Sequence, residues 1–302
     1  MKGALEADAF VNAARELMNQ NDAVGAERIL APIIHQFKAD APVQHLMGQI
    51  KKAQGQLAEA ERYFRAAIAH DLKAGQYYNE LGLVLQARGA YGEAIKIFRA
   101  AAALAPGFLM VRVNIVRCHL AMNELSEAER EAREYVAIAP GAESLTLLGT
   151  VQQAQDRNQD ALATAEAALR YGPNLRGLRY NFAAALEKVG RTTEALGVFE
   201  KLAKQELDTP DLALNYARAL YVEGRKKDAE AVAEHAVTMW PNVSALHGAL
   251  SRIRWLAGQG EKSVAANEAA IQARPGDLAL RLACADALHR GGHNTKALNV
   301  LD

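Results

Sequence analysis

The chain is poor in the residues that mark several common protein classes. Of its 302 residues, two are cysteines, 6% are aromatic, and 35 Lys and Arg side chains balance 35 Asp and Glu side chains. Two cysteines cannot form a disulfide framework, so Cys118 and Cys284 are expected to be small buried apolar residues in a reducing compartment. Zero net charge argues against nonspecific binding to nucleic acid or to an anionic membrane surface.

Membrane and export signals are also scarce. No uncharged apolar stretch approaches the length that crosses a bilayer. The N-terminal residues, 1–8, contain no apolar signal core. We therefore expect a cytoplasmic location and no membrane association.

Residues suited to catalysis do not form a set. His289 and His293 have the spacing of a metal pair on a helix, but Gly291 and Gly292 lie between them and no third ligand follows at zinc spacing. Ser126 stands near the start of a predicted helix, as capping residues do. We therefore expect no catalytic site, no metal and no cofactor within these residues.

What the sequence does have is a repeat of 34 residues, with one step of 33. It is marked by a small or slender residue, followed twelve residues later by a second small one. The first members are Ala14, Gly48, Gly82, Val116, Gly149, Ala183, Ala217, Ser251 and Ala285, and the second members are Ala26, Ala60, Ala94, Ala128, Ala161, Ala195, Ala229, Ser263 and Ala297. A fixed period of this size is typical of stacked supersecondary units.

Each unit is predicted to form two amphipathic helices, because apolar residues recur at spacings of three and four in both halves. A glycine stands where the first helix should end, for example Gly89, and five units close with a proline, for example Pro106. The small residues allow the two helices to cross closely. Larger residues such as Phe64, Phe98 and Phe199, four residues after the second small residue, fill the space beyond.

These features resemble the tetratricopeptide repeat family. The family signature is present as Tyr78, Leu81, Gly82, Leu85, Ala94, Phe98, Ala101 and Pro106. The repeats begin at Ala7, Ala41, Gly75, Leu109, Ala142, Arg176, Pro210, Ser244 and Leu278. The resemblance implies an all-α fold: a right-handed superhelical solenoid of antiparallel helix pairs, with eight full repeats and an incomplete ninth, in a single domain over residues 1–302.

The resemblance also implies where a ligand would bind. In this family the first helix of each repeat lines the concave groove, at the second, fifth, sixth, ninth, twelfth and thirteenth places. In two adjacent repeats the ninth and twelfth places carry the same pairing, Arg218 with Tyr221 and Arg252 with Trp255. Arg, Tyr and Trp dominate the binding energy of many protein interfaces.

Asparagines on the same face extend this candidate groove. Asn181 and Asn215 occupy the sixth place, and each offers a donor and an acceptor to a peptide backbone. We predict a peptide groove across the sixth to eighth repeats, with Asn114 and Arg117 of the fourth repeat as further peptide-binding residues. The alternatives are an ordinary solvated arginine face and a Trp255 that packs against a segment beyond the last repeat. The second and fifth places lack the basic residues with which some members of this family bind acidic chaperone tails.

Three functional hypotheses follow. The first is a non-catalytic module that binds a peptide or protein segment in its groove. The second is the substrate-recruiting part of an enzyme (a glycosyltransferase, a sulfotransferase or a 2-oxoglutarate/iron oxygenase) whose catalytic domain follows residue 302. The third is a self-assembling scaffold.

The ninth repeat motivates the last two hypotheses. It ends partway through its second helix, and Leu298, Val300 and Leu301 are expected to lie on an uncovered apolar face. Solenoids normally need a polar cap at such an end. We therefore expect the chain to be a fragment of a longer protein, or an oligomer that covers this face.

Overall fold

The computed structural model describes residues 2–290 and 292–301, without the side chains of residues 2–8, 269, 272, 273 and 287. These residues form two compact units, residues 1–156 and 157–302. The first unit contains α1 (Lys2–Asn19), α2 (Ala23–Leu30), α3 (Ala41–Ala53), α4 (Leu57–His70), α5 (Gly75–Ala87), α6 (Tyr91–Leu104), α7 (Met110–Ala121), α8 (Leu125–Ile138) and α9 (Ala142–Ala154). The second contains α10 (Asn158–Leu169), α11 (Arg176–Lys188), α12 (Thr192–Gln205), α13 (Pro210–Val222), α14 (Lys226–Met239), α15 (Ser244–Leu256), α16 (Gly260–Ala273), α17 (Leu278–Arg290) and α18 (Asn294–Leu301).

The turn between the two helices of a repeat uses one residue with positive φ. Six of these residues are glycines with φ between 75° and 81°. Residues with a Cβ atom are disfavoured in this left-handed conformation, whereas glycine adopts it readily. Repeats without a glycine use Asn21, Asn123 or Asp156, and Asn and Asp tolerate this conformation best among the other residues. These turn residues follow the period of the sequence, and the predicted glycine turns are confirmed.

Helix crossings depend on the small residues. In the third repeat, a Cβ added to Gly82 would lie 2.4 Å from the ring of Phe98, and Gly48 and Phe64 form the same contact in the second. The fourth repeat reverses the sizes, with Val116 on the first helix and the small Ala132 on the second, both fully buried. In both arrangements the residues at the helix crossing are buried, as expected for a closely packed interior.

Two junctions between neighbouring repeats of the first unit use different chemistry at equivalent places. The carboxylate of Glu61 on α4 pairs with Arg88 at the end of α5. One repeat later, the same two places hold Ile95, which is buried, and Met122, which packs against the apolar cluster that contains Ile95. These two junctions of the first unit therefore differ in polarity at equivalent places.

One face of each unit is lined by first helices. Consecutive first helices contact one another: α1, α3, α5, α7 and α9 in the first unit, and α11, α13, α15 and α17 in the second. Consecutive second helices make no such contact among the described residues. Each stack is therefore tighter on the side of its first helices, which makes that side the inner face.

The cysteines are free and buried, as expected. Burial raises the pKa of the Cys118 thiol to about 11, which leaves it unreactive at neutral pH. None of the helices in the described ranges combines the length and hydrophobicity of a membrane span.

The last helix pair exposes part of its apolar surface. Leu298 and Leu301 are 64% and 40% exposed, as predicted. The prediction for Val300 was wrong in part, because this side chain packs against the cluster that contains Cys284 and Leu288. The helical phase of α18 turns it inward, away from the two leucines.

Candidate functional site

The inner face of the second unit contains a pocket of about 550 Å³ between α13, α15 and α17. Binding pockets for small ligands and side chains generally have volumes of about 300–1,000 Å³. Four of the residues that the sequence singled out line this pocket: Arg218, Tyr221, Arg252 and Trp255. The structure therefore brings the two Arg–aromatic pairs together on one surface.

Arg218 takes part in a hydrogen-bond network of four first-helix side chains, two on α11 and two on α13. Its Nε and Nη2 atoms donate to the Glu187 carboxylate at 2.5 and 2.8 Å, and Nη2 also donates to Asn215 Oδ1 at 2.8 Å. Asn215 in turn donates to the Tyr180 hydroxyl at 2.8 Å. The bonds to Glu187 raise the pKa of the Arg218 guanidinium, and burial raises the pKa of the Tyr180 hydroxyl. The guanidinium charge is thereby neutralised within the fold.

The two aromatic residues are held differently. Tyr221 is half-buried against the core of the second unit, and the Lys226 ammonium lies 5.9 Å from the centre of its ring. Trp255 is half-buried over the turn into α16, where a Cβ added to Gly260 would lie 2.7 Å from the indole. The indole therefore packs directly against Gly260.

Arg252 differs from the other pocket arginines. It is exposed and makes no hydrogen bond or ion pair within the part of the chain that the structure describes. Arg290, across the pocket, is paired with Asp286 at 2.8 Å. Arg218 is paired with Glu187 and Arg290 with Asp286, so Arg252 is the pocket arginine without an acidic partner among the described residues.

The predicted asparagines lie outside the pocket. Asn215 makes one hydrogen bond with its oxygen and one with its nitrogen in the network with Arg218 and Tyr180. Asn181 is half-buried on α11 and makes no side-chain hydrogen bond to another described residue. Neither lines the pocket. Asn114 is buried and Arg117 is exposed, both on α7 of the first unit.

Sequence reasoning missed the residues that create the space. Ala245, Gly248 and Ala249 occupy the second, fifth and sixth places of α15 and line the pocket. At the corresponding fifth places α13 has Leu214 and α17 has Leu282. Three small residues at inner places of one repeat were the signal that could have revealed the pocket. The pocket lies across the seventh to ninth repeats, whereas the sequence predicted the sixth to eighth.

The histidine pair considered for a metal has a structural partner. His289 Nδ1 lies 2.8 Å from Asn294 Oδ1, across the turn between α17 and α18. Gly291, which stands between the two histidines, lies outside the described residues. Within the described ranges, no group of three or more His, Cys, Asp or Glu side chains is placed to hold a metal ion.

Comparison with known proteins identifies the repeats. Two models of the tetratricopeptide repeat match the chain, one at residues 85–150 and the other at residues 45–107 and 180–244. No curated protein matches the chain significantly.

Solved structures share the fold. A tetratricopeptide repeat protein from Parabacteroides merdae ATCC 43184 superposes with a TM-score of 0.65 at 14% identity, covering 82% of this chain and 98% of that one. The Cut9–Hcn1 hetero-tetramer of the APC/C gives 0.58 at 15% identity, covering 82% and 49%. At these identities the likeness concerns the helical repeat architecture alone.

Proposed function

Since this chain belongs to the tetratricopeptide repeat family, we propose that it is a protein-interaction module that binds an extended segment of a partner protein in the pocket between α13, α15 and α17. The observation that carries this proposal is that Arg252, Tyr221 and Trp255 line one pocket of about 550 Å³. These are the residue types most enriched among binding hot spots.

The rigidity of the surroundings supports a binding role. Arg218 makes three hydrogen bonds within the fold, and Trp255 packs against Gly260 at the start of α16. Side chains that are already ordered lose little entropy when a ligand arrives. The concave shape also lets a segment contact three first helices at once.

The proposal is tested by selecting peptides from a random displayed library with the immobilised chain. Selected peptides should bind the wild type and lose about tenfold or more in affinity to the variant Arg252→Ala/Trp255→Ala, because such anchors contribute about 2 kcal/mol or more when they are hot spots. Affinities are measured by isothermal titration calorimetry.

The matched control is Arg170→Ala/Tyr171→Ala, which removes an exposed arginine and an exposed aromatic residue from the end of α10. This variant should keep wild-type affinity. The proposal is wrong if the library yields no binder, or if the selected peptides bind the pocket variant as tightly as the wild type.

A further inference from the structure

The pocket contains a hollow with an aliphatic lining. Ala245, Gly248 and Ala249 on α15 form its base, and Leu214 and Val222 on α13 form one wall. A Cβ added at Gly248 would lie at ordinary van der Waals distance, 3.5 Å, from Cβ of Ala283 on α17, so Ala283 closes the hollow on that side. A ligand group that enters the pocket would make van der Waals contact with these short side chains.

The hollow lies beside a single uncompensated charge. Arg252 follows Gly248 by four residues on α15, so both lie on the same face of the helix. The two neighbouring cations are already neutralised, Arg218 by Glu187 and Arg290 by Asp286. A ligand therefore meets an apolar space and an unpaired guanidinium at adjacent positions.

Resting on the proposed function, we infer that the pocket selects a segment with a large apolar side chain next to a carboxylate. The apolar group fills the hollow over Gly248, and the carboxylate accepts hydrogen bonds from Arg252. A guanidinium forms paired hydrogen bonds with a carboxylate, which favours Asp, Glu or a free C-terminus over neutral groups. A basic residue at the same position is repelled.

Short fluorescent peptides test the selection by anisotropy. They carry Phe-Asp, Phe-Asn, Ala-Asp or Phe-Lys at the centre of a Gly-Ser background, and a further pair ends in Phe with a free or an amidated C-terminus. On the wild type, Phe-Asp should bind about tenfold more tightly than Phe-Asn or Ala-Asp, since each loses one of the two contacts. A preference for the free over the amidated terminus would identify a C-terminal carboxylate as the group bound, and a preference confined to Phe-Asp would identify a side chain.

Two variants separate the contacts. Arg252→Gln should bind Phe-Asp and Phe-Asn equally, whereas Arg170→Gln, an exposed arginine outside the pocket, should keep the preference. Ala245→Leu fills the hollow from an exposed position and should weaken all the Phe peptides without unfolding the chain, which circular dichroism verifies. Gly248→Leu should do the same from the base of the hollow.

Outcomes of the peptide and library tests are distinguishable. Equal binding of Phe-Asp and Phe-Lys, or a preference for acid that survives Arg252→Gln, overturns the selection rule. Library peptides that bind through the pocket but lack an apolar–acidic pair overturn it too, while the proposed function stands. If neither the designed nor the library peptides bind, the proposed function itself fails.

Discussion

The third and eighth repeats fill the same three core places with different chemistry. The third uses Gly82, Ala94 and Phe98, so that an aromatic ring lies directly on the backbone of the first helix. The eighth uses three polar side chains that bond to one another: Ser251, Ser263 and Asn267. The two hydroxyls are 2.7 Å apart, and Asn267 donates to Ser251 at 2.6 Å. All three are at most 2% exposed.

The difference shows that the repeat requires a filled volume and satisfied polar groups rather than a particular residue. A buried aromatic ring stabilises by removing apolar area from water. A buried hydroxyl or amide contributes little net stability and is tolerated because its hydrogen bonds are made. The eighth repeat also carries the small residues that open the pocket, so the repeat most involved in the proposed site has the less apolar core.

The largest effect should come from Phe98→Ala in the third repeat. Removing a fully buried ring should lower the free energy of unfolding by about 3–5 kcal/mol, because transfer and cavity terms add. Urea denaturation measures the total, and amide hydrogen exchange should locate the loss in α5 and α6. Phe10→Ala, at a residue that is 40% exposed, is the control. Equal losses for the two variants would refute the account of the third repeat.

A smaller loss, about 1–3 kcal/mol, is expected from Asn267→Ala in the eighth repeat, because Ser251 would lose a buried hydrogen-bond donor. Exchange should accelerate in α15 and α16. The matched control gives the eighth repeat the three core residue types of the third repeat, through Ser251→Gly, Ser263→Ala and Asn267→Phe. With no polar group left unpaired, this triple variant should be at least as stable as the wild type, and a triple variant less stable than Asn267→Ala would contradict the comparison.

The smallest expected effect is the pH dependence of stability. The eighth-repeat cluster of Ser251, Ser263 and Asn267 contains no titratable group, so this effect is expected elsewhere. In the first unit, the imidazole of His45 lies 4.7 Å from the ring of Tyr77, and its buried Nε2 has no hydrogen-bond partner. Burial lowers the pKa of His45 below its ordinary value of 6.5, nearby Glu80 opposes this, and Lys52 and Arg15 reinforce it. The unfolded chain therefore takes up the proton first, so stability is retained above pH 6.5 and lost as the pH falls below it.

Urea midpoints from about pH 7.5 to about pH 5.5 measure this effect. His45→Gln should flatten the decline in the first unit, whereas His70→Gln, at an exposed histidine, should leave it unchanged. An identical pH profile for wild type and His45→Gln would remove His45 as the cause.

The period of the sequence was enough to predict the helix pairs, the turn glycines and the contact of small residues with Phe64 and Phe98. These features depend on spacing along one repeat, which the sequence records directly. The turns at Asn21, Asn123 and Asp156 were not predicted, because these residue types also occur in many other conformations.

Side-chain partners across repeats could not be predicted in the same way. Arg218 and Glu187 are 31 residues apart, and their pairing depends on how closely α11 and α13 approach and on both rotamers. The resemblance to the family placed Arg218 on the inner face but could not show that it is already paired with Glu187 there. The pocket itself was within reach of the sequence, since Ala245, Gly248 and Ala249 occupy inner places of one helix.

The matched pairs at the repeat junctions have a consequence for the order of the repeats. Glu61 is followed by Arg88, and Ile95 is followed by Met122. If the fourth repeat were grafted directly behind the second, the largely buried carboxylate of Glu61 would face the thioether of Met122 in place of Arg88 and keep only Arg65, four residues along α4, as its cation. Although the repeats share one backbone plan, the second and third repeats of this chain are therefore not interchangeable at the junctions that follow them.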